Sequence, residues 1–126
     1  MMGEKAVRGI RGAITVERNT AEDISRATIE LLTKTVEANE VNTEDIASVF
    51  LTVTPDLNAE FPARAARRMG WRLVPLLCAR EIDVPGGMPK LIRVLMHINT
   101  TKTQAEIRHQ YLGEAAAIRA DLMENQ

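Results

Sequence analysis

Apolar and polar positions alternate along some stretches of this chain and recur every three to four residues along others. Val7 to Val16 reads as a first strand, with Val7, Ile10, Ile14 and Val16 giving it β-branched character. Alternation puts Val7, Gly9, Arg11 and Ala13 on one face, so Arg11 is ringed by small residues. Gly9 and Gly12 flank Ile10-Arg11, and glycine inside a strand marks a bulge or a place where something comes close to the backbone. Thr20 then predicts a helix N-cap, with Glu22 and Asp23 adding acid to the first turn, where the helix dipole favours it. Ile24, Ala27, Leu31, Leu32 and Val36 follow at helical spacing, and the helix is expected to end near Ala38-Asn39. Asn42 to Asp45 caps a short helical turn. Ala47 to Thr54 is a second strand, with Val49, Leu51 and Val53 on one face and Phe50 on the other.

Pro62 fits the first turn of a second helix running to about Met69, with Gly70 at its C′ position. Arg64, Arg67 and Arg68 lie at i, i+3 and i+4 there, which predicts one basic spot. Trp71 to Ala79 reads as a third strand, and Pro75 inside it points to an edge or a bulge. After a Pro85-Gly86-Gly87 turn, Leu91 to Asn99 is a fourth strand. One face carries Leu91, Arg93, Leu95 and His97; the other carries Ile92, Val94, Met96 and Ile98. Thr103 with Glu106 forms a capping box, and Ile107, Tyr111, Ala115 and Ile118 supply the apolar stripe of a predicted last helix. Residues 1–6 read as an N-terminal extension and 120–126 as a tail with no clear anchor.

This order predicts a single domain over residues 1–126, a mixed sheet packed against helices, of the α+β or α/β class, with α+β the class expected. A sheet of four or five strands with helices on one face leaves its other face bare, so an oligomer is expected. Composition narrows the picture. Sixteen Lys and Arg against 17 Asp and Glu leave a net charge of −1, which disfavours nucleic acid as a partner. Hydrophobic residues at 45% exclude the disordered class, and aromatics at 3% make the core aliphatic. No apolar run approaches the roughly 20 residues of a membrane span, and nothing before Val7 resembles a secretory signal, so a cytoplasmic setting is expected. The single cysteine, Cys78, fits a reducing compartment and rules out a disulfide framework within the chain.

Arg11 and Arg93 stand inside strands. Each could point into solvent or pair with an acid; two near one another in a desolvated setting would need anionic ligands. Glu81, after the third strand, is either a partner for them or an exposed turn acid. Cys78 is either a small core residue or a nucleophile with His97 or His109 as base. No phosphate loop, His-Glu-x-x-His or Gly-x-Ser-x-Gly string occurs, and two histidines make a poor metal site. The residues alone thus describe an oligomeric domain with an arginine-rich site suited to a small polyanion.

The residue strings go further. Arg8-Gly9-Ile10-Arg11-Gly12-Ala13 with Thr15-Val16-Glu17-Arg18 resembles the start of the monofunctional chorismate mutases of the trimeric bacterial class. Thr54-Pro55-Asp56-Leu57, Phe61-Pro62-Ala63, Cys78-Ala79-Arg80-Glu81 and Gly86-Gly87 resemble the same family in the same order. Ile92-Arg93-Val94 and Ile107-Arg108-His109, with Tyr111-Leu112, extend the similarity to about Leu122.

The resemblance implies conversion of chorismate to prephenate with no cofactor and no metal, by a homotrimer whose sheets form a barrel-like core and whose active sites lie between subunits. It implies Arg93 at the breaking ether oxygen, Arg11 and Tyr111 on the side-chain carboxylate, and Glu81 and Cys78 near the ring hydroxyl. Phe61, Ala63, Leu76 and Ile118 match pocket-wall positions; Arg64, Arg67 and Arg119 match a cationic rim near the ring carboxylate. Leu77, at a further substrate-binding position, replaces a small hydroxyl residue of the family, and Arg64 replaces a lysine. Two other readings stand beside this one. They are a trimeric imine deaminase and a non-catalytic module that holds an anionic metabolite.

Overall fold

The computed structural model describes residues 3–118. The first strand, β1 (Ala6–Thr15), leads through Thr20 into helix α1 (Ala21–Ala38). The Thr20 hydroxyl accepts the Asp23 N–H, which supplies the expected cap. A 3-10 turn (Thr43–Asp45) feeds β2 (Ile46–Val53), and helix α2 (Pro62–Arg68) follows with proline in its first turn. Gly70 then takes φ +91°, the left-handed conformation that ends the helix. Next come β3 (Leu76–Arg80), β4 (Leu91–Thr100) and β5 (Gln110–Leu112).

Among the described residues these strands form one five-stranded mixed sheet in the order β3-β2-β4-β1-β5. The central strand β4 runs antiparallel to both neighbours, while β3 and β5 pair in parallel at the two edges. Both helices lie on one face. There Ile10 and Ile14 of β1, Val49 and Leu51 of β2, and Ile92, Val94, Met96 and Ile98 of β4 meet Ile24, Leu31 and Leu32 of α1 and Ala66 of α2. Full burial of a side chain such as Leu51 or Ile92 stabilises the fold by about 1.5–3 kcal/mol. Gly12 belongs to this face. A Cβ on it would lie 2.8 Å from the Gln110 carbonyl oxygen and 3.2 Å from Leu31 Cδ1, so the close approach read from the sequence is real. No helix among the described residues is long and apolar enough to cross a membrane.

Two predicted elements change. The third strand begins only at Leu76, not Trp71. Pro75 has no N–H to give, but its carbonyl accepts the Val49 N–H, so it sits where the edge ladder starts. The last helix is replaced over most of its length. The Thr103–Glu106 capping box forms, yet it closes only a 3-10 turn (Gln104–Glu106) before the chain extends into β5. The cause is non-local. The outer edge of β1 has backbone groups to satisfy, and this segment satisfies them. Gln104 Oε1 accepts the Gly9 N–H and its Nε2 donates to the Gly9 carbonyl. His109 Nδ1 accepts the Arg11 N–H, and Gln110 to Leu112 pair with Gly12 to Ile14. Ile107 reaches the main core, and Ala115 joins Ala13 and Leu91 in a smaller cluster on the opposite face.

Candidate active site

The face opposite α1 and α2 carries the chemistry. Ladder register places Ala79, Thr52, Arg93, Ala13 and Tyr111 in one row across all five strands. The next row holds Leu77, Phe50, Leu95 and Arg11. Phe50 and Leu95 each remain 38% exposed and Leu77 57%, so this face is apolar as well as cationic. Where the rows approach β1 and β5, a cleft of about 340 Å3 opens; Arg11, Thr52, Glu81, Arg93, Tyr111 and Ile118 are among its lining residues.

Glu81 reaches this cleft because the β3 ladder continues one step past Arg80. Its N–H donates to the Val53 carbonyl, and alternation turns its side chain to the same face as Leu77 and Ala79. There the Arg93 guanidinium grips it in a fork, Nε to Oε2 at 2.7 Å and Nη2 to Oε1 at 2.7 Å. The Thr52 hydroxyl donates to Oε2 as well. The Arg93 hydrogen bond is the main reason the Glu81 carboxyl lies below the usual carboxylate range; partial burial opposes it and Thr52 assists. Glu81 in turn strengthens the hold of Arg93 on its proton. Arg93 has five N–H donors and the fork uses two, which leaves three for a ligand. A fixed cation with spare donors, a second arginine and a tyrosine hydroxyl suit a small molecule bearing carboxylates.

The remaining expected residues fall elsewhere. Phe61, Arg64 and Cys78 line a second cleft of about 520 Å3 beside α2, where the Arg64 guanidinium lies 5.5 Å from the centre of the Phe61 ring. The Ala63 N–H bonds to Cys78, but burial dominates and pushes the thiol up, so it is not poised as a thiolate. Among the described residues, His97 does not serve Cys78 as a base. Cys78 shares the core-facing side of the sheet with Leu51, whereas His97 lies on the open face bonded to Ser48 Oγ. Leu76 packs against the core, and Leu77 lies on the open face beside Phe50.

The basic spot expected on α2 is divided. Arg64 and Arg68 flank Glu60 at 3.4 and 3.6 Å, while Arg67 turns away and donates from Nη1 to the carbonyls of Trp71, Arg72 and Val74. It braces the loop before β3. Arg119 lies outside the described residues. Among the described residues no group of His, Cys, Asp and Glu could hold a metal ion. Thr52 is the residue that sequence reading missed. Alternation with Phe50 assigns it to the open face, but only the strand register shows that it stands beside Arg93.

Residues 7–122 match the family model described as chorismate mutase type I. The chain is 56% identical over 117 residues to the chorismate mutase AroH of Thermus thermophilus, covering 92% of this chain and 96% of that protein. It is 49% identical over 117 residues to the chorismate mutase AroH of Bacillus subtilis, covering 92% of each. Its fold superposes on the structure of a chorismate mutase from Clostridium thermocellum with a TM-score of 0.85 at 50% identity, covering 86% of this chain and 97% of that one.

Proposed function

The chain belongs to the chorismate mutase type I family, and on that premise we propose that it is an isomerase rearranging chorismate to prephenate in the cleft that holds Arg93 and Glu81. The observation that carries this reading is the Arg93–Glu81 fork beside Arg11 and Tyr111, in a chain this similar to chorismate mutases. The reaction is intramolecular and pericyclic. An ether C–O bond breaks and a C–C bond forms in one molecule, so the task is to hold a flexible dianion in a compact, chair-like shape. The second task is to stabilise the negative charge that grows on the ether oxygen.

Arg93 meets that second need with the donors the fork leaves over. Arg11 and Tyr111, on the neighbouring strands, hold the side-chain carboxylate. Glu81 accepts from the ring hydroxyl and keeps Arg93 neutralised and aimed before substrate arrives. Residues expected around one substrate lie in two clefts of a single chain, and the open face is apolar. Both features support a trimer in which the open faces meet and the second cleft, with Phe61, Arg64 and Cys78, completes a neighbour's site.

Purified protein incubated with chorismate tests the reading. Loss of chorismate absorbance with formation of prephenate, by a species of three times the chain mass, is the expected result. Chorismate bound but unconverted would instead leave a binding module.

A further inference from the structure

Glu81 has two oxygens and three donors within the chain, and the donors are not shared evenly. Oε2 accepts from both Arg93 Nε and the Thr52 hydroxyl; Oε1 accepts from Arg93 Nη2 alone. A carboxylate offers about four acceptor sites, two on each oxygen, so Oε2 is saturated and Oε1 keeps one. Thr52 can do this because of where the ladder puts it. Its register partners are Arg93 on β4 and Ala79 on β3, so it stands between the guanidinium and the strand that delivers Glu81. From that place its hydroxyl oxygen lies beside Glu81, and the O–H turns to donate to Oε2.

We propose that Thr52 is a positioning residue for this reaction: by occupying Oε2 it sets the rotation of the Glu81 carboxylate so that the spare site on Oε1 faces the ring hydroxyl of the substrate. The inference rests on the chorismate reading above. Without the hydroxyl, Glu81 is held by Arg93 alone, and the carboxylate can rotate or slide along the fork. Arg93, bonded through the same oxygens, loses its fixed orientation too. Among the described residues, the charged and titratable groups that share this cleft with Glu81 are Arg93 of β4, Arg11 of β1 and Tyr111 of β5. Removing a donor from the ionised carboxylate also raises the pH at which Glu81 takes up a proton.

The test compares Thr52→Val, Thr52→Ala and Thr52→Ser in the full chain, each alone and in a Glu81→Gln background. Losing a hydrogen bond to a charged group should lower kcat/KM about tenfold in T52V and T52A, with the acid limb of the pH profile moved upward. T52S should stay within about twofold of the parent. In the E81Q background the Val and Ala changes should cost less than about twofold, since the group they act through is gone. The Glu81 carboxyl, followed by 13C NMR without substrate, should titrate at higher pH in T52V and T52A. If T52V does not fold, T52A carries the same comparison. Activity of both variants within twofold of the parent, an equal loss in the E81Q background, or an unmoved Glu81 titration would each overturn the inference while leaving the chorismate reading intact. A parent protein inert toward chorismate would overturn both, and the NMR titration would still report the Thr52 contact.

Discussion

Toward the helices, β2 and β4 present Val49, Leu51, Ile92, Val94 and Met96, all buried. On the reverse side the same two strands present Phe50, Thr52, Arg93 and Leu95, and every one keeps some solvent exposure. One alternation generates both sets, so adjacent residues differ in what their loss should cost. The covered side holds the chain together. The open side keeps a guanidinium, a carboxylate and a hydroxyl in contact, an arrangement that adds little to stability at a half-exposed arginine.

That contrast breaks or survives on three substitutions. The largest effect is expected at Arg93. Replacing it by its neutral isostere citrulline should lower kcat by about 10²–10³-fold while leaving the melting temperature nearly unchanged. A raised KM with unaltered kcat would mean that Arg93 only binds. Leu51→Ala, one residue from Thr52 but on the covered side, should do the reverse. Denaturant unfolding should show about 2–5 kcal/mol of lost stability, with near-normal turnover per folded molecule. Glu81→Gln should have the smallest effect of the three, a roughly tenfold drop in kcat/KM with an altered pH profile.

The sign of that profile follows from the pair. Glu81 titrates lower in the folded chain than when unfolded, so the contribution of its contact with Arg93 is complete above the ordinary carboxylate range. The contribution disappears as pH falls through the folded value. The parent should therefore lose activity on that acid side, and E81Q should lack that limb.

Much of this division was legible beforehand. The i, i+3, i+4 stripe of α1 and the alternation in β1, β2 and β4 depend on neighbours in sequence, and burial followed them. The family resemblance points to Arg11, Glu81, Arg93 and Tyr111, and these do share a cleft. Thr52 is not legible in the sequence, because its part depends on which residue of another strand it faces. The segment after Thr103 misled for a related reason. Its capping box and the spacing of Ile107, Tyr111 and Ala115 satisfy a helix, but they serve an extended strand as well, and the unpaired edge of β1 decided between them. Arg67 shares a helix face with Arg64 in sequence, yet three loop carbonyls outcompete solvent for it.

The Gln104 side chain holds Gly9 by both its N–H and its carbonyl, as a residue of an adjoining strand would. An amide that imitates a backbone denies a foreign segment this stretch of β1 as a template. That stretch of rim is thereby closed by one side chain rather than by a further strand.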